Sequence, residues 1–191
     1  LSLPRRLKNL TQIKIEINQH LTNSTKICSE LDLINKCIFK ICGIQLEKVE
    51  IESESQEYFA HNFELNKHKV KFRMAKITPN KIGQFVTIWK RNESGITQPH
   101  NVDDEFEFYL IATREETKLG VFIFSKTVLS KNKVLTNKNI KGKRGIRVYP
   151  TWSLTESKQA QKTQNWQTKC FVEINSNNQI DINKAKRLLD I

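Results

Sequence analysis

An α+β fold, a mixed β-sheet flanked by helices, is predicted by the way apolar periodicity changes along this 191-residue chain. Apolar side chains recur at helical spacing near both ends. Through the centre the period drops to two, or gives short continuous apolar runs, as strands require. Gly, Pro and Asn punctuate those runs at turn positions.

The elements follow in order. Ile27, Leu31, Ile34, Ile38 and Ile41 share one helical face, with Asn23 or Ser24 as N-cap and Gly43 as the stop. Residues 1–50 therefore read as a helical region. A second, short helix is expected near Ser53, where Ser53 and Gln56 have capping-box spacing. Phe59, His61, Phe63 and Leu65 alternate, as do Val70, Phe72 and Met74, on either side of the turn-like segment Asn66–Lys69. That is a β-hairpin signature, and it directs Lys71 and Arg73 outward. Residues 77–83 read as a loop broken by Pro79 and Gly83. Phe85–Trp89, Phe106–Ala112 and Leu119–Phe124 read as buried strands. Val148 and Tyr149 close a further strand before Pro150. Residues 156–166 are expected to be helical, Cys170–Ile174 a strand, and Asp181–Leu189 a terminal helix capped by Asp181. One domain spanning 1–191 follows, with a core over 51–174 and a C-terminal helix within 175–191.

Charge narrows the function. Lys and Arg number 32 against 20 acids, a net charge of +12. The excess is concentrated: Lys67–Arg91 and Lys126–Arg147 each hold eight Lys or Arg and no acid. Aromatic and β-branched residues thread both blocks, so they belong to folded surfaces whose natural partner is a polyanion. Nucleic acid is the partner expected, DNA in preference to RNA. An acidic protein partner is the alternative from another class. No apolar run reaches membrane length, no signal peptide is recognisable, and no basic amphipathic helix is evident, which predicts a cytoplasmic protein without a membrane role. Cys28, Cys37, Cys42 and Cys170 form no C-x-x-C pair, and the four histidines lack zinc-site spacing, so thiols are read as reduced and no His-based metal site is expected.

In the first block the candidate phosphate contacts are Lys71, Arg73, Lys76, Lys81, Lys90 and Arg91. In the second, Gly142 and Gly145 flank Lys143 and Arg144, a spacing that suits a tight turn presenting N–H groups and two charges to one anion. Arg147 and Trp152 follow. Tyr149 and Trp152 read equally as base-stacking surfaces or as core aromatics, Trp166 as either, and Trp89 as core. Acids between the blocks open a catalytic alternative. Glu57, Asp104 and Glu107 with Lys126 are the residues from which a Mg²⁺-dependent phosphodiesterase site would be assembled. No other cofactor is expected.

The segments ESQEYFAHNFELN, FRMAKITPNKIGQFVTIWKR, GVFIFSK, GKRGIRVYPTW and TQNWQ resemble the MepB family over roughly residues 52–174. That resemblance implies a small bacterial cytosolic protein, of a family whose founding member is encoded beside a multidrug efflux pump and its repressor. It also implies a core similar to the PD-(D/E)xK restriction endonucleases, and hence nucleic-acid binding. In that motif Asp104 stands for the first acid and Lys126 for the lysine. The position two before the lysine is Phe124, which cannot ligate a metal, and Ser125 stands where Pro is expected. A catalytically degenerate, nucleic-acid-binding protein is the reading that results, with an active nuclease using Glu57 or Glu107 as the alternative.

Overall fold

The computed structural model describes residues 27–174 and 180–190. Six strands form the main sheet: β1 (Leu46–Ile51), β2 (His61–Leu65), β3 (His68–Met74), β8 (Phe108–Glu115), β9 (Lys118–Ser125) and β11 (Phe171–Ile174). They lie in that order across the sheet. The β3–β8 pair is parallel and the other pairs are antiparallel, so the sheet is mixed as predicted. A smaller sheet is built from β4 (Lys76–Thr78), β5 (Lys81–Thr87) and β10 (Gly145–Val148), in the order β10-β5-β4; β6 (Trp89–Arg91) and β7 (Thr97–Pro99) pair separately.

The main sheet is buried on both faces, and its alternation sorts the core into two layers. Phe63, Val70, Phe72, Leu110, Val121, Ile123 and Val172 pack under the first helix and the C-terminal helix. Tyr109, Ile111, Phe122, Phe124 and Phe171 point the other way, onto Val86, Ile88, Ile146 and Val148 of the small sheet.

The first helix, α1, runs Ser29–Ile34, passes through a π-helical turn at Asn35–Phe39 and ends with Lys40–Cys42. The π-turn inserts one residue into the helical repeat. Ile38 and Phe39, though consecutive, are therefore both fully buried, and Ile41, expected on the core face, is 57% exposed. Gly43 ends the helix in the left-handed conformation at φ +77°, as its position predicted. The caps expected at Asn23 or Ser24 lie outside the described residues.

Other expectations need correction. The residues around Ser53 form only a 3₁₀ turn, Gln56–Tyr58, with no side-chain cap. β1 occupies part of the stretch read as helical. The 77–83 loop is a β4–β5 hairpin closed by Pro79-Asn80, with Asn80 at φ +59°. The strand read across Phe85–Trp89 is buried on one side only: Gln84, Val86 and Ile88 face the main sheet, while Phe85, Thr87 and Trp89 are half-exposed on the other side. The Asn66-Lys67 turn, by contrast, closes the β2–β3 hairpin as predicted, both residues taking positive φ. Three further helices complete the fold: α2 (Lys126–Lys131), α3 (Lys158–Gln167) and α4 (Ile182–Leu189), the last capped by the Asp181 carboxylate accepting from the Lys184 N–H at 2.8 Å.

Candidate nucleic-acid interface

The two basic blocks meet different fates. In the first, acids fold back onto the cations. Lys71 Nζ lies 2.5 Å and Arg73 Nη2 2.9 Å from opposite oxygens of Glu52. Lys69 pairs with Glu105 and Arg91 with Glu54, each at 2.5 Å, and Lys90 pairs with Asp104. Lys76 lies 4.8 Å over the Tyr58 ring, and Lys81 is exposed.

Arg73 does not point outward. Its side chain is 2% exposed, because β3 sits inside a sheet covered on both faces and residue 73 falls on the face toward the small sheet. There its guanidinium donates to the Ser55 hydroxyl (2.9 Å), the Thr87 carbonyl (3.1 Å) and hydroxyl (3.0 Å), and the Trp89 carbonyl (3.2 Å). Thr87 and Trp89 carbonyls share one strand edge, so the planar fork replaces a missing neighbour strand. Glu52 is penalised by burial, yet Lys71 and Arg73 outweigh that and hold its carboxyl below the ordinary range.

The second block has no such partners. Among the described residues, no Lys or Arg of 126–147 forms an ion pair. Five cations, Lys131, Lys133, Lys143, Arg147 and Lys162, and no carboxylate line a cleft of about 630 Å³ between β10, the end of α2 and α3. Trp166 forms part of its wall and packs 5.3 Å from Phe124. The two sides are joined by Gln167, which is 1% exposed. Its amide accepts from the Tyr149 N–H (2.9 Å) and donates to the Arg147 carbonyl (3.0 Å), continuing the edge of β10 as a strand would. Gln164 donates likewise to the carbonyls of Pro150 (2.9 Å) and Ser153 (2.8 Å).

The glycines flanking Lys143-Arg144 do not build an anion-binding turn. The Lys143 N–H already donates to the Val134 carbonyl at 2.9 Å. Gly142 serves close packing, since a Cβ there would lie 2.6 Å from backbone atoms of Thr136 and Val134. Lys143 faces the cleft, whereas Arg144 turns away and donates to the Thr97 hydroxyl at 3.3 Å. Arg147 is tethered to the Gly83 carbonyl (2.9 Å) and Thr78 hydroxyl (2.8 Å). Trp152 packs edge-on against Phe171 at 5.4 Å, and its indole N–H donates to Glu115 at 2.7 Å.

The acids read as catalytic are partly brought together. Lys126 Nζ donates to the backbone carbonyl of Asp104 and lies 5.1 Å over the Phe106 ring. The Asp104 carboxylate accepts from Lys90, from His100 Nδ1 (2.9 Å) and from the Asn101 N–H (3.0 Å). Burial opposes its charge, but these donors prevail and hold the carboxyl well below its ordinary range; burial also lowers His100, keeping it neutral. Glu107 turns its carboxylate to the Lys69 N–H at 2.6 Å, and Glu57 is exposed on the 3₁₀ turn. Among the described residues no three His, Cys, Asp or Glu side chains gather as a metal site. A Mg²⁺ does not fit here, because the Asp104 oxygens are already committed to cationic and N–H donors. Phe124 is fully buried, stacked 5.4 Å from Phe122, and Ser125 caps α2, accepting from the Val128 N–H at 3.3 Å.

Sequence reasoning missed Lys131, Lys133, Lys162 and Gln167, and left Trp166 open between core and stacking surface. The signal available was a third acid-free stretch, residues 157–172, carrying Lys158, Lys162 and Lys169.

A mixed six-stranded sheet between a helical layer and a small second sheet, with an acid-free cleft at one edge, defines an α+β protein of a particular family. The MepB-like family model matches residues 52–173, and the chain belongs to that family. It is similar to the solved structure described as "Crystal Structure of MepB", at 30% identity and a TM-score of 0.67, with 85% of this chain and 98% of that one covered. Among curated proteins none matches this chain. No described helix is long and apolar enough to cross a membrane.

Proposed function

We propose that this protein binds nucleic acid, DNA in preference to RNA, through the cleft lined by Lys131, Lys133, Lys143, Arg147 and Lys162. The observation that carries the reading is the absence of any carboxylate from a cleft with five cations. Such charges attract phosphates by releasing condensed counterions, so affinity falls steeply with salt. First-block residues are secondary in this reading, because Lys71, Arg73, Lys90 and Arg91 already have carboxylate partners. The endonuclease-like core implied by the family resemblance accords with DNA as ligand, in a cytoplasmic, non-catalytic role. Fluorescence anisotropy with a labelled DNA duplex at low salt tests it. Binding should weaken linearly in log K against log salt, and Lys133→Glu/Lys143→Glu should lose at least tenfold in affinity. An absence of binding at low salt, to the duplex and to single strands alike, overturns the proposal.

A further inference from the structure

The outer face of the small sheet carries a second surface, which meets the cleft at Gly145 and Arg147. The strand register places Lys76 and Arg147 on either side of Phe85, and Gly145 beside Thr87. The four side chains among them project away from the main sheet, whose core is covered by Val86, Ile88, Ile146 and Val148. Tyr58 meets the edge of Phe85 at 6.3 Å, and half-exposed Trp89 extends the aromatic row. Phe85, Thr87, Trp89 and Arg144 line a shallow groove of about 360 Å³.

Gly145 lines both this groove and the basic cleft. Its missing side chain is required, since a Cβ would stand 2.6 Å from the Phe85 ring. Gly145 thus stands between the cleft and the aromatic face, with the Phe85 ring packed where its side chain would be, and consecutive Lys143 and Arg144 serve the two sides. Half-exposed rings flanked by cations on a sheet, with Arg91 lying 5.3 Å over Trp89, are suited to a strand whose phosphates are neutralised while its bases lie on π-faces. A paired duplex keeps its bases stacked on each other and cannot use such rings.

We infer that Phe85 and Trp89 form a stacking platform for unpaired bases of a nucleic-acid strand whose backbone occupies the cleft. The inference rests on the cleft reading above and deepens it by naming single-stranded nucleic acid as the ligand. Labelled oligo(dT), oligo(rU) and a DNA duplex of equal length serve as probes by fluorescence anisotropy. Wild-type protein should bind a single strand more tightly than the duplex, and the dT and rU arms show whether DNA or RNA is preferred. Phe85→Leu and Trp89→Leu should each lose about tenfold for the single strand, with unchanged salt slope and unchanged duplex affinity, while Trp89→Phe retains binding. Independently of those variants, oligo(dT) should quench the tryptophan fluorescence of the wild-type protein, and Trp89→Phe, which keeps Trp152 and Trp166, should lose most of that quenching. Unchanged single-strand affinity in folded Leu variants, or no quenching on binding, overturns the platform and leaves the cleft intact. Failure of wild-type protein to bind any of the three probes overturns the cleft reading, and the platform with it.

Discussion

Two acid-free blocks of eight basic residues each look alike in the sequence and behave oppositely in the fold. Lys69, Lys71, Arg73, Lys90 and Arg91 of the first are matched by Glu105, Glu52, Asp104 and Glu54, contributed by flanking segments. Those of the second lie against carbonyls, hydroxyls and solvent. A stretch without acids is therefore not a surface without acids. What decides is whether the topology returns acidic neighbours to it. Here the turns after β1 and before β8 bring acids to the cations of β3 and β6, whereas nothing acidic lines the cleft between β10 and α3.

The largest effect that separates the blocks should come from Arg73→Met. Removing this buried guanidinium leaves Glu52 with Lys71 as its remaining cation and two carbonyls without donors, and losing one partner of a buried pair costs about 3–5 kcal/mol. Urea denaturation should show the midpoint collapsing, where Arg147→Met, which releases only neutral acceptors, costs about 1 kcal/mol. A cost for Arg147 equal to that for Arg73 would erase the distinction.

Charge reversal comes next, and it should act on affinity alone. Lys133→Glu/Lys143→Glu should flatten the salt dependence by about 0.9 in log–log slope for each phosphate the cleft no longer neutralises. Thermal melts should be unchanged. The first-block reversal Arg91→Glu should leave affinity near wild type, since its charge is already offset by Glu54.

Acidification should weaken the protein through the first block's surroundings. His100, held below its ordinary 6.5 chiefly by burial, takes up its proton in the unfolded chain before the folded one. Stability is therefore lost as pH falls from 6.5 toward the lowered folded value. Glu52 and Asp104 are held below their ordinary 4.5 and 3.8, so their contributions are present above those values and fade as pH drops beneath them. Denaturation followed from pH 7 to pH 3 should show both phases, and Asp104→Asn should diminish the lower one. The smallest effect belongs to Lys69→Ala: that ion pair is 53% and 82% exposed, and its loss should not shift the melt detectably.

Much of the fold was legible because its physics is local. Alternation located β2 and β3, continuous apolar runs located β8 and β9, left-handed φ at Gly43 and at Asn66-Lys67 ended elements where the residue types allow it, and Asp181 capped its helix. The π-turn was not legible: Ile41 keeps perfect helical spacing, and only packing of both Ile38 and Phe39 reveals the inserted residue. Arg73 illustrates the central difficulty. Alternation correctly gave it the face opposite Phe72, but which side of a sheet meets solvent depends on whether a second layer covers it. The cleft was half legible. Lys143 and Arg147 stood out by charge, whereas Lys162 and Trp166 reach the same wall through a helix formed later in the chain. Phe85 and Trp89 read as core because strand Phe85–Trp89 carries apolar residues on both faces, yet the small sheet has only one covered face.

Gln167 has a consequence for kinetics. By bridging the Arg147 carbonyl and the Tyr149 N–H, it sets the aperture between β10 and α3 before any ligand arrives. A preset aperture has no closing motion to complete and orders few side chains on encounter. Association should then be fast and steered by the field of the five cations, so ionic strength should act mainly on the rate of arrival.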